Sequence, residues 1–262
     1  MKSVGAAEYN ETEIIRHKRG KAVYALVFVL VTFLLIVALS FLFSSFIKVG
    51  SNLPLSFFSL TLKEKDYYAI SSEEFISEAE AGAHARTIKQ RGGAGFLMKR
   101  DTNFTVIVAV YNNMDDCILV KENLLTQGLR AEIFTITMPK KSISGLNNTD
   151  RTNIKAVYEY FFSLYKTLYN ISAELDKGSK KHNEAALDFA ALKLETIKFN
   201  LEIRTSANKY VTLIKKQLNS VIDIFEYLTN PIVTEGRNMP YTSEIKYAYT
   251  QILFYCAEIN NL

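Results

Sequence analysis

The chain has 262 residues, of which 48% are hydrophobic and 22% charged, with a formal net charge of +4. Its charge is not gathered into basic runs or stripes, which excludes the electrostatic footprint of a nucleic-acid-binding protein. The two cysteines, Cys117 and Cys256, do not form a paired-spacing motif, which argues against a disulfide framework, although a single bridge between them stays open.

An uncharged apolar run extends over residues 22–47. As a helix it would be roughly 39 Å long, enough to cross a hydrocarbon core of roughly 30 Å. A cleaved signal peptide, the alternative, usually has an apolar stretch of only about 7 to 15 residues. Basic residues are concentrated before the run: Lys2, Arg16, Lys18, Arg19 and Lys21 precede it, and Lys48 follows it. We therefore predict a single-pass helix in the cell membrane, with residues 1–21 cytoplasmic and the C-terminus extracytoplasmic.

A linker is predicted at residues 48–64, and the next region repeats itself at a spacing of 36 residues. The repeat equates Tyr68 with Phe104, Gly92 with Gly128, and Leu97 with Ile133, without a gap between them. Each copy has the pattern of strand, aromatic residue, helix, glycine and strand. Two copies give βαββαβ, which predicts a ferredoxin-like domain with four antiparallel strands and both helices on one face.

Helix-end signals support this order. The first helix is predicted to start near Ser77 and to stop at Gly92, and the second to start after Asn113 and to stop at Gly128. In the third strand, alternation directs four side chains toward the helices, namely Phe104, Val106, Val108 and Val110. The facing of the first strand is less regular and could slip by one residue.

The segment FTVIVAVYNNMDDC, with Gly128 after the following helix, resembles the second half of the sporulation-related (SPOR) domain family. DYYAISSEEF and GGAGF stand at the corresponding places of the first half, so the resemblance covers residues 65–138. It implies a peptidoglycan-binding module whose helix-free sheet face binds glycan strands. Carried over by position, that face would present Ser71, Glu73, Thr105, Ile107 and Ala109.

The third strand also motivates an alternative. Ile107 and Ala109 offer sugar hydroxyls few hydrogen-bonding partners beyond the backbone, and apolar sheet faces are usually covered. The C-terminal region could cover this one. A solvent-protected Ile107 would support that hypothesis, and an open sheet face would contradict it.

After a linker at 140–150, residues 151–262 are predicted to form a helical bundle of three long elements. A first apolar stripe runs from Ile154 to Leu175, and the segment EIRTSANKY interrupts a second pattern between 183 and 228. Within that pattern, we predict that one stripe belongs to the core: Leu187, Ala190, Leu194, Ile197 and Leu201. A partner-binding groove is the minority interpretation of these helices.

No nucleophile–base constellation or zinc spacing occurs, so neither an enzyme nor a cofactor or metal is expected. His17, His84 and His182 are scattered, and the GGAG segment at 92–95 follows a helix rather than leading into one, as a phosphate loop would.

The predicted architecture is therefore α+β: a membrane helix, a SPOR-like domain at 65–139, and the bundle. The leading function is noncatalytic peptidoglycan binding or localisation in the bacterial envelope, linked to cell division or sporulation. The alternative is an extracytoplasmic protein-interaction scaffold whose sheet face is masked by the C-terminal helices and whose partners are envelope proteins. A transmembrane sensor ranks third, because the tail is too short for an output domain.

Overall fold

The computed structural model describes residues 59–230 and 239–262. The predicted tail at 1–21 and membrane helix at 22–47 lie outside them, as does most of the linker at 48–64. Within the described residues, no helix combines the length and the apolar character needed to cross a membrane. The chain divides into two units, Met1–Phe57 and Phe58–Leu262. The second unit has its own hydrophobic core, as an independently folding domain requires.

The first half of this unit is built from short strands and two helices. They are β1 (Leu60–Leu62), β2 (Lys65–Phe75), α1 (Glu78–Gln90), β3 (Phe96–Arg100), β4 (Asn103–Tyr111), α2 (Met114–Thr126), β5 (Glu132–Met138) and β6 (Lys141–Ile143). Four of the strands form an antiparallel sheet in the order β3-β4-β2-β5. The βαββαβ order predicted from the repeat is therefore confirmed for residues 65–138.

The helix ends follow the predicted signals. Asn113 caps α2, its side chain accepting a hydrogen bond of 2.9 Å from the Asp115 amide. Gly92 and Gly128 follow the two helices with φ angles of +93° and +73°. Such left-handed conformations suit glycine, which has no Cβ to clash.

β4 contains a bulge that changes which side chains face the helices. Ile70 of β2 pairs with Ala109, and the next residue, Ser71, pairs with Ile107, so Val108 has no partner of its own. Val106 and Val108 pack against α1 and α2 as predicted. The prediction for Val110 was wrong, because alternation restarts after the bulge and Val110 joins the core on the opposite side.

The C-terminal region forms α3 (Asn148–Asp176), α4 (His182–Glu202), α5 (Lys209–Leu228) and α6 (Tyr241–Asn261). The predicted bend at EIRTSANKY is a complete break between α4 and α5. Ile203 is extended there, and Asn208 caps α5 by accepting a hydrogen bond of 2.9 Å from the Tyr210 amide. In the described part of this region, four helices therefore replace the three long elements that periodicity predicted.

The orientation of α4 also differs from the prediction. Leu187, Leu194 and Leu201 were expected in the core, but they are 72%, 68% and 80% exposed. The buried face of α4 carries Ala185 and Phe189 instead. Because this helix is apolar on two faces, its periodicity alone could not decide which face turns inward.

β1 and β6 lie within segments predicted to be linkers, and their pairing was not foreseen. They form a two-stranded antiparallel sheet in which Leu60 lies opposite Ile143. Both side chains are buried in the same core cluster as Ile154 of α3. The two segments predicted to be linkers therefore pair with each other and pack into the core that the sheet shares with the bundle.

The described residues form two hydrophobic clusters. One lies between the sheet and helices α1 and α2 and includes Cys117. The larger cluster joins the other sheet face to the C-terminal helices and includes Cys256. Both cysteines are free and buried, so the single bridge that the sequence left open is not formed. Burial raises the pKa of the Cys117 thiol to about 11.

Candidate functional site: the sheet face and the helices that cover it

The sheet face opposite α1 and α2 is filled by side chains of the bundle. Tyr67 of β2, Ile107 of β4 and Met138 of β5 are 4%, 0% and 0% exposed. They share one cluster with buried residues of α3 and α6. The face that the SPOR resemblance assigns to glycan is therefore an internal packing surface in this protein.

Aromatic contacts form much of this junction. The ring of Tyr67 stacks on Phe162 of α3 at 6.1 Å and meets Tyr165 edge-on at 5.1 Å. At the other end of the sheet, Phe96 of β3 stacks on Phe254 of α6 at 5.0 Å. Aromatic pairs at these separations add stabilisation beyond their buried area.

A buried hydrogen bond fixes α3 on β4. The Tyr165 hydroxyl donates to the Val110 carbonyl at 3.3 Å, just beyond the bulge. Burial, followed by neighbouring phenols, raises the pKa of Tyr165, and the same causes raise the pKa of the fully buried Tyr249 on α6. Both hydroxyls therefore stay protonated over the neutral range.

Polar contacts tie the first turns of α6 to the end of α1. Lys89 and Glu244 form an ion pair at 2.9 Å, with only 16% and 9% of their side chains exposed. Ser243 donates a hydrogen bond of 2.6 Å to the Lys89 carbonyl, and Lys246 donates one of 2.9 Å to the Gly92 carbonyl. Such partly buried pairs fix position more than they add stability.

The five candidate glycan-binding residues do not form one surface. Ile107 faces the bundle, while Ala109 and Glu73 line a cavity on the opposite side, between α1 and α2. Ser71 is 6% exposed, and its hydroxyl is 3.4 Å from the Glu132 carbonyl. Glu73 is more accessible, since 43% of its side chain is exposed. Its carboxylate lies 3.9 Å from the guanidinium of Arg130.

Thr105, the fifth candidate, has a hydroxyl group on the sheet face that the C-terminal helices cover. It is 2% exposed, and its hydroxyl oxygen has no hydrogen-bond partner among residues 59–230 and 239–262. A buried hydroxyl without a partner costs stability, so this residue type is not explained by packing alone.

The cavity between α1 and α2 has a volume of about 310 Å³. Ser72 and His84 line it and are hydrogen-bonded, with 3.0 Å between the hydroxyl oxygen and Nε2. The same hydroxyl lies 3.4 Å from the Val106 carbonyl, and the His84 ring lies 5.2 Å from that of Phe75. We interpret the Ser72–His84 hydrogen bond as structural rather than catalytic. No carboxylate in the described part of the chain hydrogen-bonds to His84, as one would to orient a histidine that acts as a base.

Across residues 59–230 and 239–262, no three or more His, Cys, Asp or Glu side chains are grouped so that they could hold a metal ion. The described chain thus presents two features of interest: the covered sheet face and the exposed apolar stripe of α4. Sequence reasoning assigned the stripe to the core. The signal that could have corrected it is the second apolar row on the same helix, through Ala185, Phe189 and Leu192.

Comparisons with known proteins add little to this geometry. No protein-family model matches the chain, and no curated protein matches it. One solved structure that it resembles is the peptidoglycan binding domain of the B. subtilis cell wall lytic enzyme CwlC. The identity is 15% and the TM-score 0.26, over 29% of this chain and 95% of that domain. A similarity at this level supports no functional conclusion.

Proposed function

We propose that this chain is a noncatalytic, membrane-anchored scaffold of the cell envelope that binds another protein through its C-terminal helices. The observation that carries the proposal is the complete burial of Ile107, at the centre of the face that an open glycan platform would need. That face packs against the helices of the C-terminal bundle. The apolar side chains that remain exposed lie elsewhere, and the most regular of them lie on α4.

The placement of the scaffold follows from the sequence outside the described residues. The apolar run at 22–47 anchors the chain, and the basic residues between Arg16 and Lys21 keep the N-terminus cytoplasmic. The unit Phe58–Leu262 then lies on the outer side of the membrane. Its role there is to present a binding surface rather than to perform chemistry.

Peptidoglycan binding is the second candidate. The observation in its favour is the complete βαββαβ unit with the strand order β3-β4-β2-β5, together with the SPOR resemblance of residues 65–138. For this function the glycan would have to reach a surface other than Thr105 and Ile107, which are covered. Glu73 is the exposed residue among the original candidates.

Sedimentation with peptidoglycan separates the two functions. The fragment 58–262, checked for folding by circular dichroism, is incubated with intact sacculi and with sacculi whose stem peptides have been removed. The scaffold function predicts that the fragment stays in the supernatant with both. Sedimentation with the stripped sacculi would overturn it and establish glycan binding. Repeating the assay with Glu73→Ala would then show whether the cavity side of the sheet, where Glu73 lies, is involved.

A further inference from the structure

Helix α4 presents a regular row of leucines to solvent. Leu187, Leu194 and Leu201 follow one another at seven-residue intervals and are 72%, 68% and 80% exposed. Half-buried Ala190 and Ile197 lie between them, which completes the alternating three- and four-residue spacing of a coiled-coil seam. We call these five residues the leucine seam. It extends for roughly 21 Å along the helix.

The seam cannot be buried by turning α4. The opposite side of the helix carries Phe189, which is fully buried and stacks on Phe225 of α5 at 6.3 Å. Thr196, also fully buried, shares a hydrogen bond of 2.7 Å with Tyr160 of α3. Any rotation that hid the leucines would expose these groups, so the seam is a stable feature of the surface.

Acidic residues follow one flank of the seam. Each leucine is followed directly by an acid, namely Asp188, Glu195 and Glu202. Because successive residues are about 100° apart around a helix, these three acids share one side. Asp188 is paired with Lys180 at 2.9 Å, whereas Glu195 and Glu202 form no ion pair within the described part of the chain.

The two lysines of α4 itself do not cancel this flank. Lys193, on the other side of the seam, is engaged by Glu226 of α5. Lys198 is exposed between Glu195 and Glu202 along the helix. These two acids and one lysine leave a net charge of one negative unit at this edge. The open surface therefore combines an apolar row with a net negative edge.

We propose that the leucine seam binds one amphipathic helix of a partner protein, a helix with large apolar side chains at heptad spacing and lysine or arginine along the edge that meets Glu195 and Glu202. This inference rests on the proposed scaffold function and names the chemistry of its partner. Charge complementarity distinguishes that partner from the alternatives. A second copy of this chain would bring another net negative α4, and an anionic lipid surface would repel the acidic edge.

The test uses two synthetic helical peptides of three heptads, identical at their leucine positions. One has lysine at all flanking positions and the other has glutamate there. Binding of each labelled peptide to fragment 58–262 is measured by fluorescence anisotropy. The lysine peptide is expected to bind, and Leu194→Glu should weaken it about tenfold or more. Replacing Glu195 and Glu202 together by lysine should weaken the lysine peptide about fivefold and strengthen the glutamate peptide.

Leu119→Glu on α2 is the matched control, because Leu119 is 63% exposed but lies outside the seam; this variant should bind the lysine peptide as the native fragment does. Equal binding of the two peptides, or unchanged binding by Leu194→Glu, would overturn the proposal. A fragment that dimerises alone, and loses its dimer in Leu194→Glu, would also overturn it, because a second copy then occupies the seam. The sedimentation assay is independent of these outcomes, so failure of the seam and failure of the scaffold function are distinguishable.

Discussion

Replacement of Ile107 by alanine tests whether the sheet face is a packing surface. Ile107 is 0% exposed and belongs to the cluster that joins the sheet to α3 and α6. The substitution removes three side-chain carbons, worth about 2.4 kcal/mol at roughly 0.8 kcal/mol per buried group. The cavity left behind adds to this, so the free energy of unfolding should fall by about 3 to 4 kcal/mol.

Urea unfolding of fragment 58–262, followed by circular dichroism, measures this loss. The midpoint should move to lower urea with an unchanged slope, because the surface exposed on unfolding is nearly the same. Leu194→Ala is the matched control: its side chain is 68% exposed, so the expected change is within about 0.5 kcal/mol. A loss of less than about 1 kcal/mol for Ile107→Ala would refute the covered sheet face, since only an accessible isoleucine would cost so little.

Three further predictions concern the same junction. Thr105→Val should raise the free energy of unfolding by about 1 kcal/mol in the urea assay, because it removes a buried hydroxyl without a partner. Glu244→Ala should lower it by about 2 kcal/mol, whereas Glu244→Gln, which can still accept from Lys89, should cost less. Burial raises the pKa of Tyr165 and Tyr249, so the contribution of these two phenols to stability should be constant below about pH 10 and fall above it, by about 1.4 kcal/mol per pH unit for each tyrosine, as unfolded phenols ionise. Urea midpoints at about pH 9, 10 and 11 measure this loss of stability, and a midpoint that stays constant over that range would contradict the burial of the two phenols.

Local features of the sequence were sufficient for the βαββαβ order. The 36-residue repeat, the glycines at 92 and 128, and the helix starts at Ser77 and Asn113 each depend on residues close together in the chain. They therefore predicted the strands and helices between 65 and 138 without knowledge of long-range contacts. The bulge at Val108 was missed because it depends on the register between β2 and β4, which no residue of β4 signals alone.

The candidate glycan site was predicted less well than the fold. Position in the repeat correctly put Ile107 on the sheet face opposite α1 and α2, but it could not show what else packs there. The covering residues Phe162, Tyr165 and Phe254 are far away in sequence. The composition of β4 gave the one useful hint, since an apolar strand face favours coverage.

By itself, the sequence determined the period of each element, the ends of α1 and α2, and the apolar run at 22–47, because these are properties of neighbouring residues. Only the tertiary structure decided which faces meet. α4 has two apolar faces, and packing of Phe189 against Phe225 turned the leucine seam outward. The sheet has two apolar faces as well, and α3 and α6 took the one that the SPOR resemblance assigned to glycan. Where a helix or sheet is apolar on both sides, its local pattern does not determine which side is buried. The side that removes more apolar surface from water when the tertiary structure forms is then the one that is buried.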